Sequence, residues 1–313
     1  MVEVLDSLAT KYQKLYGFEF NEQKFLPLYE DMIKHVYSKD RELCVISPLE
    51  NFELSGVSSL SINDYRIRKL TDWEMEQLIG IGYQLDTPFS PAFGEIETLY
   101  CIERIIRVPK RSTPPLEPFM KEFMTALRLF KNGATGYAVL LSYSRIWKSG
   151  WGATFHRRRK FDVGPKYILS KEETSSFIDH FRQFIRAKDE FSNNIKFSLR
   201  WFNKSYEEHE ILDRILDLAI AIEVLYNSSD RLDLYVPHFL ESSKEKRMEL
   251  SGNIKKLRKL RGAIVHSGSC GVDTEFLNMI ESIFRLSMQK LLKLLPETNY
   301  ETILKDIRAS LLE

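Results

Sequence analysis

The segment ILDRILDLAIAIEVLY, residues 211–226, constrains the chain most. Its apolar residues run round the whole helical circumference instead of along one stripe. A helix apolar on every side is expected at the centre of a bundle, where neighbours cover all its faces. Glu223 then stands between Ile222 and Val224, where a lone carboxylate is costly, so a cationic or hydrogen-bonding partner is expected for it. Asp213 and Asp217 are four residues apart on a different face, with Arg214 beside them as a candidate partner.

A second helical pattern supplies that cation. In NIKKLRKLRGAIVHSG, residues 253–268, Ile254, Leu257, Leu260 and Ile264 make an apolar stripe with helical spacing. At about 100° per residue, Arg261 falls about 40° from the middle of the stripe, close to the core and suited to Glu223. Lys255, Lys256, Arg258 and Lys259 face outward as a basic flank. His266 follows Arg261 by five residues, about 140° round a straight helix, so the two side chains do not meet within one rigid helix. Either the helix ends before His266, as Ser267 and Gly268 suggest, or two subunits bring the residues together across a two-fold axis.

The remaining chain organises around this helical part. At 313 residues it is long enough for two lobes. Residues 3–16 and 22–37 have helical spacing. Between about 42 and 147, LCVISPL, SSLSI, ETLYCIERIIRV and GYAVLLSYSRIW are β-branched and aromatic and read as strands, with one helix at 117–130. The proline-rich 108–118 and the polar 148–165 read as connections, the latter as an exposed loop. Helical segments follow near 171–190, 192–208, 209–228, 243–266, 273–294 and 298–311. The expected fold is therefore an α+β N-terminal region, 1–190, followed by an all-α bundle, 191–313.

Composition narrows the chemistry. With 45 basic and 44 acidic residues the net charge is +1, so any hold on nucleic acid has to come from a local patch. The densest basic run is His156, Arg157, Arg158, Arg159 and Lys160, flanked by Trp151, Phe155 and Phe161. It is read either as a phosphate- and base-binding patch or as a plain exposed loop. Arg200, Trp201 and Phe202 divide likewise between base stacking and bundle core. The three cysteines, Cys44, Cys101 and Cys270, fit neither a disulfide framework nor a zinc site, and a reducing cytoplasm is expected. No HExxH, P-loop or dinucleotide fingerprint occurs, and no metal or cofactor is expected. The N-terminus does not read as a secretory signal, and no apolar window of about 18 residues suggests a membrane span.

An arginine and, after four intervening residues, a histidine late in a helix, following a helix that reads DRILDLAIAIEVL, resembles the HEPN superfamily and its Apea-like branch. RWFNK at 200–204 is similar to the opening of that domain, and the likeness covers roughly residues 195–295. The chain departs from the family pattern at Gly262 and at Ser267. The resemblance implies metal-independent RNA cleavage. His266 would act as general base on the ribose 2′-hydroxyl or as acid for the leaving oxygen, since imidazole exchanges protons near neutral pH. Arg261 would bind the scissile phosphate. Glu223 and Asp217 are the expected supporting residues, with Lys255, Arg258, Lys259 and Arg157, Arg158 and Arg159 on the RNA backbone. The implied protein is an endoribonuclease acting on RNA such as tRNA. It would work as a homodimer and a toxin-like antiviral effector, under a protein trigger or inhibitor that the N-terminal region senses. The alternative is a catalytically silent HEPN-fold binding or scaffolding protein, in which Arg261 is only a salt bridge to Glu223 and His266 only a cation suited to a helix C-terminus.

Overall fold

The computed structural model describes residues 2–85, 100–110, 112, 115–137, 139–144, 152–155, 165–267 and 271–311. The chain forms two compact units, and each is interrupted in sequence. The first comprises 1–50, 57–120 and 137–158; the second comprises 51–56, 121–136 and 159–313.

The first unit begins with two helices, α1 (Val2–Tyr16) and α2 (Glu22–Tyr37). The chain turns between them at Gly17, whose φ of +82° suits a residue without a side chain. Asn21 caps α2 by accepting a hydrogen bond from Lys24 N at 3.2 Å. Leu8 and Met32 are buried between the helices.

After them come β1 (Asp40–Pro48), β3 (Ser59–Ile62), β4 (Tyr65–Lys69), β5 (Tyr100–Pro109), β6 (Val139–Ser144) and β7 (Gly152–Phe155). They form an antiparallel sheet in the order β3-β4-β5-β1-β6-β7. Cys44 on β1 is aligned with Ile105 on β5 and with Tyr143 on β6, and everything from Leu43 to Pro48 is buried. β7 replaces part of the loop expected at 148–165 and pairs with β6 through Val139↔Phe155.

A helix absent from the sequence-based expectation, α3 (Asp72–Leu85), follows β4. Gly80 and Gly82 weaken its helical signature. Its start is nonetheless written in the sequence as a capping box: Thr71 N donates to Glu74 Oε2 at 2.7 Å and Glu74 N to Thr71 Oγ1 at 3.4 Å. Glu74 is fully buried. Arg68 donates to both of its oxygens, and Tyr143 Oη donates to Oε1 at 2.5 Å. These partners hold its carboxyl down to about 2, against the burial that pushes it up.

In the second unit, β2 (Phe52–Ser55) pairs in parallel with β8 (Tyr167–Ser170). A Cβ on Gly133, at φ +153°, would lie 2.7 Å from Tyr167, so this close approach requires glycine. α4 (Glu117–Phe130) enters the unit from residue 121 onward. The remainder is helical: α5 (Thr174–Ala187), a 3-10 turn at Lys188–Glu190, α6 (Asn193–Ser205), α7 (Ile211–Leu225), α8 (Leu232–Leu240), α9 (Lys244–Ser267), α10 (Thr274–Leu294) and α11 (Tyr300–Ala309). α8 was not expected; its Pro237 disguised a nine-residue helix. Ser192, Asp273 and Asn299 cap α6, α10 and α11.

α7 packs against α6, α9 and α10, as expected of the helix at the centre of the bundle, and Asp213 is its one exposed residue. Its cover is nonetheless uneven: Leu212, Leu216, Ile220 and Val224, each four residues after the last, are only partly covered. The unit also has a charged interior. Glu281 on α10 accepts from Arg214 Nη2 and from Arg285 Nη2, both at 2.6 Å, and all three side chains are buried. Arg214 thus pairs across the bundle.

Candidate active site

α9 is one continuous helix from Lys244 to Ser267, so it does not end before His266. Arg261 and His266 therefore stay about 140° apart on a single rod. Ile254 and Leu257 are fully buried, but the same helical face is only partly covered at Leu260, Arg261 and Ile264, and Val265 is 60% exposed. The expected four-residue buried stripe is thus covered in its first half only. His266 is exposed on the last turn.

Arg261 meets Glu223 where this open face of α9 passes α7. Arg261 Nε lies 3.2 Å from Glu223 Oε1. The atoms meet at an angle that gives an ion pair without an aligned hydrogen bond, because Arg261 Nε has no hydrogen-bond acceptor among the described residues. Burial raises the pKa of the Glu223 carboxyl, opposed by Arg261 and Arg258 and reinforced by Asp230. The cation expected beside Glu223 is present, and its guanidinium is only loosely committed to it.

Asp217 stands elsewhere. It is six residues before Glu223 on α7, and both its oxygens accept from Lys204 Nζ, at 3.0 and 2.9 Å. Burial raises its pKa too, with Lys204 opposing. It supports the junction of α6 and α7 and is not brought to Arg261.

The basic flank of α9 is largely engaged with α8. Arg258 donates to Asp230 O at 3.0 Å and lies 3.6 Å from Asp233, which Lys255 also approaches at 3.6 Å. Lys256 sits 4.4 Å over the Phe276 ring. Lys259 is exposed, with no ion pair among the described residues. His156, Arg157, Arg158, Arg159 and Lys160 lie outside the described residues, as do Trp151 and Phe161.

Sequence reasoning missed a surface at Val224, the residue after Glu223. The first turns of α6 and Val224 of α7 line a shallow groove of about 460 Å³, which includes Lys196, Phe197 and Arg200. Phe197 is 44% exposed and makes an edge contact with Trp201, their ring centroids 6.0 Å apart. Phe202 is buried, stacked on Phe284 at 4.5 Å, so of the three residues 200–202 it is Arg200 that reaches this groove. The available signal was Phe197 itself, an aromatic residue between two cations at helical spacing.

Among the described residues no helix is long and apolar enough to cross a membrane, and no group of three or more His, Cys, Asp or Glu side chains is placed to hold a metal ion. Comparison with family models, with curated proteins and with solved structures gives no match.

Proposed function

We propose that the helical unit is a HEPN-type endoribonuclease that works as a homodimer. The observation that carries this reading is the half-open Arg261–Glu223 pair, set in an apolar face that the chain leaves partly covered, with His266 exposed one and a half turns further on. Leu216 and Ile220 on α7, with Ile264 and Val265 on α9, are the surface a second copy would bury. An isologous contact there brings Arg261 of one copy towards His266 of the other and removes the 140° separation.

In the proposed reaction His266 accepts the proton of a ribose 2′-hydroxyl, and the 2′-oxygen attacks the adjacent phosphorus. The bond from phosphorus to the 5′-oxygen breaks, that oxygen takes a proton, and the products are a 2′,3′-cyclic phosphate and a 5′-hydroxyl. Arg261 offsets the charge that develops on the phosphate oxygens. Lys196, Phe197 and Arg200 are suited to an adjoining nucleotide by charge and stacking. DNA lacks the nucleophile and is left intact. Control by a protein trigger or inhibitor, and a role as a toxin-like effector in antiviral defence, complete the proposal.

The test is incubation of wild type and His266→Ala with total tRNA and with single-stranded RNA in EDTA, followed by mapping of the ends. Cleavage by wild type alone, leaving cyclic phosphates, supports the enzyme. A second reading, a catalytically silent HEPN-fold scaffold, is favoured by the distance between Arg261 and His266 round one helix. It predicts no cleavage by either protein, even when dimeric.

A further inference from the structure

A second groove opens in the helical unit between α5 and the C-terminal part of α10, away from Arg261 and His266, neither of which lines it. Its volume is about 780 Å³, within the range of sites that hold small organic ligands. Its chemistry is divided. Arg182 and Arg186, one turn apart on α5, and Lys293 on α10 contribute three cations. Asp179, 3.7 Å from Arg182, is the one carboxylate in the lining among the described residues. Neither Arg186 nor Lys293 has an ion-pair partner among the described residues, so the groove carries uncompensated positive charge.

The remaining wall offers rings and hydrogen-bond acceptors. Phe130 and His180 have ring centroids 5.6 Å apart. The Ala126 carbonyl, 3.1 Å from His180 Nε2, can only accept, so Nε2 carries the hydrogen and Nδ1 is left as an acceptor. Burial lowers the pKa of this imidazole to about 4, which keeps it neutral at physiological pH. Gln289 Nε2 donates to the carbonyls of Leu129 at 2.8 Å and Phe130 at 3.1 Å. Both amide hydrogens are then used, and Oε1 remains as an acceptor.

We propose that this groove binds a phosphorylated nucleoside with an amine-bearing base, its phosphates against Arg182, Arg186 and Lys293 and its amine donating to the acceptors that His180 and Gln289 leave open. The base lies against the Phe130 ring. The inference goes beyond RNA cleavage and does not rest on it, because the site shares no residue with the candidate catalytic pair.

The test is calorimetric titration of the full chain with ATP, ITP, inorganic triphosphate and a single-stranded adenylate oligomer, on wild type, His266→Ala and Arg186→Ser/Lys293→Ser. Expected are ATP binding to wild type and His266→Ala alike, and a loss of roughly tenfold or more in the double variant, whose two exposed positions leave the fold unchanged by circular dichroism. ITP, which lacks the amine, and triphosphate, which lacks the base, should bind more weakly than ATP. Oligomer binding tighter than ATP and lost in the same variant would keep the site and make RNA the source of its nucleotide. Absence of ATP binding, equal binding of ITP or triphosphate, or indifference to the double substitution overturns the proposal.

Discussion

Glu223 Oε1 stands 3.2 Å from Arg261 Nε across the junction of α7 and α9, with Glu223 16% and Arg261 40% exposed. An ion pair this open is screened, and its coupling is expected at about 1 kcal/mol or less. A double-mutant cycle with Glu223→Gln and Arg261→Gln, read by urea unfolding, measures it. Arg261→Gln should abolish RNA cleavage while shifting stability by no more than about that amount. A coupling above roughly 2 kcal/mol with no effect on RNA would make the pair a fastening between helices and favour the scaffold.

The open face around that pair gives the second expectation. Val265 is 60% exposed, so Val265→Asp should change the stability of the isolated chain by only about 0.5 kcal/mol. In a dimer closed over this face the same carboxylate would be buried without a partner and would oppose association. Sedimentation and cleavage assays should therefore show monomer and lost activity together. A variant that stays dimeric and active places the interface elsewhere.

How far the sequence spoke for itself depends on whether the deciding interaction was local. α9, α10 and the central strands are legible because period and side-chain type agree along each segment. The Arg261–Glu223 contact is legible because Glu223 is a misfit on an apolar helix and Arg261 is the cation of α9 that lies nearest that helix's apolar stripe, so each is the partner the other needs. What remained hidden was long-range. Nothing near Arg214 in sequence announces Glu281, 67 residues later, and Asp217 offered a nearer partner. The partly covered stripe Leu212, Leu216, Ile220 and Val224 has the same composition as a buried one, because periodicity reports which residues are apolar and not what covers them. α3 was masked by Gly80 and Gly82, although Thr71 and Glu74 carried its start.

His180 makes stability depend on pH. In the unfolded chain its imidazole takes a proton near the ordinary 6.5, whereas burial in the fold lowers that to about 4. Between those values the unfolded chain binds more protons, so stability falls as pH drops from about 6.5 to about 4 and the loss levels off below. The full effect is on the order of 3 kcal/mol. His180→Phe should flatten this part of the profile in urea unfolding at pH 7 and pH 5. Asp179, Arg182, Arg186 and Lys293 line the same groove and are common to both proteins, so the difference isolates the imidazole. Glu74 acts in a lower window: its contribution is present above about 4.5 and is lost as pH falls through about 2. A difference between the two proteins that stays constant between pH 7 and pH 4.5 would mean that His180 is not buried as described, because Glu223 and Asp217, raised by burial and common to both, cancel from it.

Glu281 faces a harder constraint, since one carboxylate serves Arg214 and Arg285 while the Arg128 guanidinium lies 4.5 Å over the Tyr206 ring beside them. Arg128 disperses its charge into the Thr135 carbonyl and that ring, and Tyr206 Oη donates to Glu281 at 3.3 Å. Glu281→Ala removes the only buried carboxylate of the group and leaves two guanidiniums facing each other out of water, at a cost of about 3–5 kcal/mol. If unpaired charge is the cause, removing the cations as well should recover stability. Glu281→Met combined with Arg214→Met and Arg285→Met, similar in volume and without charge, should unfold at a higher urea concentration than Glu281→Ala alone. A triple variant weaker than the single one would show instead that the hydrogen bonds from Arg285 to Arg128 O and Asn132 Oδ1 hold α10 in place, and that the ion pairs are secondary to them.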